Sequence, residues 1–198
     1  MRTEFDIICH MCKYFGLLLL ASVVSGCFTA RPLDVRDWTV EFHGHSKTAT
    51  KPKFGVARVS QVSVRAPYEV RSLQVMRADG SLAQDPYNKF AAAPSQLLKG
   101  PVVDALMASG SFDDVVGPAS SAAVSVVAEV TVSRIALDCR KDGPRRALVE
   151  LSVLVLDRDR SIASRVRGDG TADAADGDYA KAFSDAFSAA IESAARQL

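Results

Sequence analysis

Histidine, cysteine and net charge of either sign are all scarce in this chain. Of 198 residues only three are His and four are Cys, and 24 basic residues stand against 23 acidic ones. A net charge of +1 leaves no concentrated basic surface of the kind that nucleic-acid binding requires. No Gly-x-Ser-x-Gly elbow is present, and a hydrolytic triad would have to recruit His43 or His45 from a loop. No Gly-rich loop carrying a lysine is available to cradle a phosphate. The apolar run at residues 15–24 is well short of the ~20 residues that span a bilayer. Catalysis, nucleotide binding and a membrane-spanning helix thus find little footing.

What is present begins with that apolar run. Lys13 precedes it, and Val24-Ser25-Gly26-Cys27 ends it: charge, a short apolar segment and small residues before a cut, as in an export signal. A branched aliphatic residue, two small residues and a cysteine read as a bacterial lipobox. Cleavage then falls between Gly26 and Cys27, and Cys27 becomes the lipidated first residue of the mature protein. Glu4 and Asp6 spoil the basic character of the leading segment, so translation from Met11 gives the more compact signal. Cys9 and Cys12 leave with the signal and Cys27 carries lipid, so Cys139 has no partner for an intrachain disulfide. Phe28, in place of an Asp, lacks the usual inner-membrane retention signal, which points to the outer membrane. The expected organisation is a signal peptide at 1–26, a lipid-anchored tether at 27–36 and one domain at 37–198. The tether spans only about 30 Å when extended.

Periodicity predicts the elements of that domain. Strands are expected at 38–42, at 56–65 with a bulge near Ser60-Gln61, and at 73–77 before the turn Asp79-Gly80. Pro94 starts a helix that runs to Gly110, and Pro101 either kinks it or marks the start of its regular part. Val124, Val126, Ala128, Val130 and Val132 alternate along the next strand. The turn 140–144 leads to its antiparallel partner at 146–157, apolar on both faces in the middle and hence central. A shorter strand is expected at 162–167. Tyr179, Ala182, Phe183, Ala186, Phe187, Ala190, Ile191 and Ala194 form the stripe of a C-terminal helix capped by Asp176 or Asp178. The fold class is α+β, a mainly antiparallel sheet with two helices on one face.

Residues with chemical potential resolve into modest roles. His43 and His45 lack further ligands for a metal. Gly168-Asp169-Gly170 with Asp173, Asp176 and Asp178 lacks the order of a calcium loop and reads as a loop and helix cap. Cys139 lies beside Arg140 and Lys141, cations that lower a thiol pKa, but has no base. No catalytic residue, metal site or cofactor is expected beyond the covalent lipid on Cys27.

One stretch carries a resemblance. Val62-Ser63-Val64-Arg65-Ala66-Pro67-Tyr68, Leu73-Gln74-Val75-Met76-Arg77, Tyr87-Asn88-Lys89-Phe90, Pro94-Ser95-Gln96-Leu97-Leu98 and Ser109-Gly110-Ser111-Phe112-Asp113-Asp114-Val115 follow in order. This resembles the ABC-type transport auxiliary lipoprotein family, which includes the paraquat-inducible protein PqiC. The resemblance implies a non-catalytic, outer-membrane lipoprotein facing the periplasm of a Gram-negative bacterium. It would serve an ABC transport system of the mammalian-cell-entry (MCE) type for lipids or other hydrophobic compounds, with an MCE-domain protein as partner. Tyr68, Tyr87 and Phe90 are the candidates for a contact surface toward that partner or a neighbouring subunit, and a homo-oligomer would fit a bridging role. The alternative is a structural or assembly lipoprotein of the envelope, independent of any transporter. A lipid-modifying enzyme is the third and weakest reading.

Overall fold

In the computed structural model, residues 34–44, 51–140, 144–174 and 177–198 are described. Gly26, Cys27, His45, Lys141 and Asp176 lie outside them. Val35–Leu198 forms a single compact unit. Eight strands make one sheet: β1 (Arg36–Trp38), β2 (Ala57–Val64), β3 (Ser72–Arg77), β4 (Leu82–Phe90), β5 (Val115–Val116), β6 (Val126–Cys139), β7 (Arg146–Leu156) and β8 (Ile162–Asp173). The helices among the described residues are α1 (Pro94–Leu97), α2 (Lys99–Ala108) and α3 (Tyr179–Ala195).

The α+β class, the sheet and the C-terminal helix agree with expectation. The long ladders, β6 with β7 and β7 with β8, are antiparallel. Shorter pairings are parallel: β2 and β3 lie end to end along β6, and β1 joins β4. β7 is central, between β6 and β8, as its two-sided apolarity implied. The register of β2 against β6 shifts between Val59 and Gln61, where side-chain parity changes in the sequence. The helix from Pro94 breaks at Leu98, and Pro101 sits in the first turn of α2, where its missing N–H costs nothing.

Two expectations are corrected and one strand is added. The alternating segment at 38–42 contributes only Trp38 to the sheet; beyond it the chain lies along α3, with Val40 3% exposed. Residues 82–90, unassigned by periodicity, form β4, because the turn at Asp79-Gly80 closes a hairpin with β3. Gly168-Asp169-Gly170 is not a loop but the middle of β8, which runs on to Asp173.

Those two glycines set how closely α3 packs. A Cβ at Gly168 would collide with the Ala190 carbonyl and lie 2.8 Å from the Ala194 amide. One at Gly170 would strike the Ala186 carbonyl and lie 2.6 Å from the Ala190 amide. Small residues on both partners thus bring helix backbone onto strand backbone. Phe183 and Phe187, both 0% exposed, fill the remaining space over the sheet. Asp178 caps α3 by accepting from the Lys181 amide at 3.1 Å.

Candidate interaction surface

β4 is covered by β1 only over its last three residues, Asn88 to Phe90, so its earlier half forms part of a sheet edge. Pro86 removes one backbone donor there. The Asp85 carboxylate accepts from the amides of Tyr87 at 2.8 Å and Asn88 at 3.1 Å, and from Asn88 Nδ2 at 2.9 Å. This self-satisfied turn blunts the edge against stray pairing. It also turns Tyr87 outward, 50% exposed, near Val35 at 41%.

The three aromatic candidates part company. Tyr87 is free to touch another molecule. Tyr68 is half-buried, packed against the core. Phe90 is corrected outright: at 1% exposure it meets Phe183 edge-on, with ring centroids 5.2 Å apart. It belongs to the core and reaches no surface. The sequence around it encodes positioning. Arg71 Nε donates to the Phe90 carbonyl at 2.9 Å while Nη2 reaches Asp37 at 2.8 Å, tying β1, β3 and β4 together. The Glu69 carboxylate accepts from the Ser95 amide at 3.1 Å and from the Ser95 hydroxyl, satisfying the helix start that Ala93 leaves without a side-chain cap.

Periodicity missed one arrangement altogether. Ser184 Oγ accepts from the Glu41 amide at 3.0 Å and Ser188 Oγ from the His43 amide at 2.9 Å. Residues 39–44 therefore form a strap along the face of α3 that the sheet leaves uncovered, and both serines are buried beneath it. The signal was there: two serines four apart flank an apolar stripe, and buried hydroxyls call for partners.

The candidates for chemistry stay separate. His43 contacts Glu41 at 3.5 Å and Asp185 at 3.6 Å. Cys139 ends β6 and lines a cavity of ≈ 400 Å³ with Arg77, Gln84 and Arg145. Burial pushes its thiol above the ordinary value, Arg145 opposes this and Asp138 adds to it. Among the described residues, no group of three or more His, Cys, Asp or Glu could hold a metal ion, and no helix is long and apolar enough to cross a membrane.

No family model matches the chain, and no curated protein matches it. A crystal structure of protein XCC0632 from Xanthomonas campestris, carrying the family description DUF330, has a TM-score of 0.60 at 16% identity, covering 82% of this chain and 91% of that one. What is shared is the fold. A PelC dodecamer from Paraburkholderia phytofirmans has a TM-score of 0.46 at 15% identity, covering 78% of this chain and 95% of that one, too distant to carry an argument here. Membership of the ABC-type transport auxiliary lipoprotein family, expected from the ordered motifs, is corrected by these findings. No model of that family matches, and the structural likeness is to a protein described as DUF330.

Proposed function

We propose that this chain is a lipid-anchored, non-catalytic component of the Gram-negative envelope, held at the inner leaflet of the outer membrane and projecting into the periplasm. Its task is auxiliary to a transport assembly for lipids or other hydrophobic compounds, with an MCE-domain protein as partner. The observation that carries the reading is the lipobox Val24-Ser25-Gly26-Cys27, standing eight residues before the compact unit starts at Val35. A diacylglyceryl thioether and an N-acyl group on Cys27 supply the more than one chain that stable anchoring needs. The scattered placement of His43 and Cys139 favours docking over chemistry. A structural or assembly lipoprotein is the second reading, favoured by the same lipobox without any transporter.

Two measurements decide. Cys27→Ser should block processing or release the chain from membranes; a variant still cleaved after Gly26 and still membrane-bound would sink the anchor. Affinity capture of the native lipoprotein should bring down an MCE-domain protein, and deletion should weaken the outer-membrane barrier. A weakened barrier without such a partner would favour the second reading.

A further inference from the structure

The sheet has two faces, and the helices cover one. On the other face, the register sets Ser63 beside Thr131, Thr131 beside Ser152 and Ser152 beside Arg167, a row of hydroxyls ending in a guanidinium. Along β7 from that row, Glu150 takes up Arg134 at 2.8 Å. A depression of ≈ 640 Å³ opens there, walled by Arg65, Arg134 and Arg167 with Ser133 and Ser152 between them. In the opposite direction Arg165 stands beside Leu154. Arg65, Arg165 and Arg167 are all exposed. With the Arg134 and Glu150 charges spent on each other, Arg65, Arg165 and Arg167 stand against Glu129 and Asp169, an excess of one positive charge on this central area.

The compact unit begins at Val35, at the edge of this same face. Trp38 and Phe90 are paired in register and packed with the core, so strand alternation turns Asp37 and Lys89 to the open side, and Val35 and Tyr87 continue that parity. Cys27 precedes Val35 by eight residues, about 27 Å at full extension.

We infer that the open face of the sheet lies against the anionic headgroup layer of the membrane entered by the Cys27 lipid. This rests on the anchoring reading above and adds an orientation to it. Guanidinium groups match phosphate oxygens in geometry and charge, and cations held within a Debye length of an anionic bilayer are drawn to it. Tyr87 and Val35 occupy the position of interfacial anchors. The helix-covered face then points away from the bilayer, toward the periplasm.

The test uses the processed lipoprotein in vesicles of phosphatidylcholine alone or with one third phosphatidylglycerol. A Cys139→Ala background carries one reporter thiol, either Ser152→Cys on the open face or Ala189→Cys on the exposed flank of α3. Labelling by a membrane-impermeant maleimide should slow about fivefold at position 152 when the anionic lipid is present, and stay unchanged at 189. Combined Arg65→Glu, Arg165→Glu and Arg167→Glu should restore the rate at 152; the comparison between vesicle types stands without that variant. Equal labelling at 152 in both vesicles, from a chain that still floats with them, would overturn the orientation and leave the anchor intact. A chain that floats with neither would overturn the anchor and this inference together.

Discussion

The two halves of this domain are built by different rules. From Val126 onward, each element lies beside the one before it: β6, β7 and β8 form consecutive antiparallel ladders, and α3 folds back onto β8 and β7. Before Val126, only β3 and β4 form such a hairpin, and the other neighbours in space are distant in sequence. β2 and β3 share one side of β6, β1 reaches across to β4, and α1 and α2 fall between β4 and β5. The later half closes through local hairpins, and the earlier half is completed only by pairing with the later one. Contacts between distant segments carry a larger loop-closure cost, so the earlier half should be the weaker partner.

The largest expected effect strikes the later half. Gly168→Val places branched carbons against the Ala190 carbonyl, and backbone cannot yield as a flexible side chain would. We expect destabilisation of at least about 3 kcal/mol, read as a lost or strongly shifted urea transition. A near-native midpoint would mean that α3 can lift from β8, and the local unit would be looser than described.

Next come the rings that join the halves. Phe90→Ala and Phe183→Ala should each cost about 3–5 kcal/mol. Because the rings touch, the double variant should cost less than the sum of the two. Full additivity would show that β4 and α3 do not share one core.

How much of this was legible follows the same division. Alternation marked β6 and β7, the stripe of Ala and Phe marked α3, and the parity change from Val59 to Val62 marked the bulge. Strand β4 was hidden because Asp85, Pro86 and Asn88 disfavour strands, and only its edge position tolerates them. Gly168 and Gly170 read as a loop for a related reason: their absent side chains serve the approach of a helix, which no local pattern records. The alternation at 38–42 was real, but its partner is α3. The motifs that pointed to a transport family included Phe90, whose role proved to be packing. Of the three aromatic residues named as contacts, only Tyr87 stands largely exposed.

Smaller effects probe the strap. Ser184→Ala and Ser188→Ala each remove an acceptor from a partly buried amide, at about 1 kcal/mol apiece. Hydrogen exchange at the Glu41 and His43 amides should quicken in the matching variant. Unchanged exchange would mean that the strap is held by Val40 and Phe42 alone.

The smallest effect is one of pH. Lys181, hydrogen-bonded to Asp185, holds its carboxyl below the ordinary 3.8; burial opposes this and His43 adds to it. The folded state therefore favours the carboxylate. That contribution is complete above the unfolded value and disappears as pH falls through the lowered folded one. Asp185→Asn should flatten this part of the acid limb in urea midpoints measured below neutral pH. An unchanged limb would remove the pair from the account.

The strap also fixes an order of events. Its amides at Glu41 and His43 are satisfied by serines 143 and 145 positions further along the chain. A ribosome delivers the N-terminal segment first, so residues 39–44 emerge with nothing to lie on until nearly the last helix is made. The strap cannot close until α3 has been made. Under the export proposed above, such postponement would keep residues 39–44 unpaired until α3 arrives.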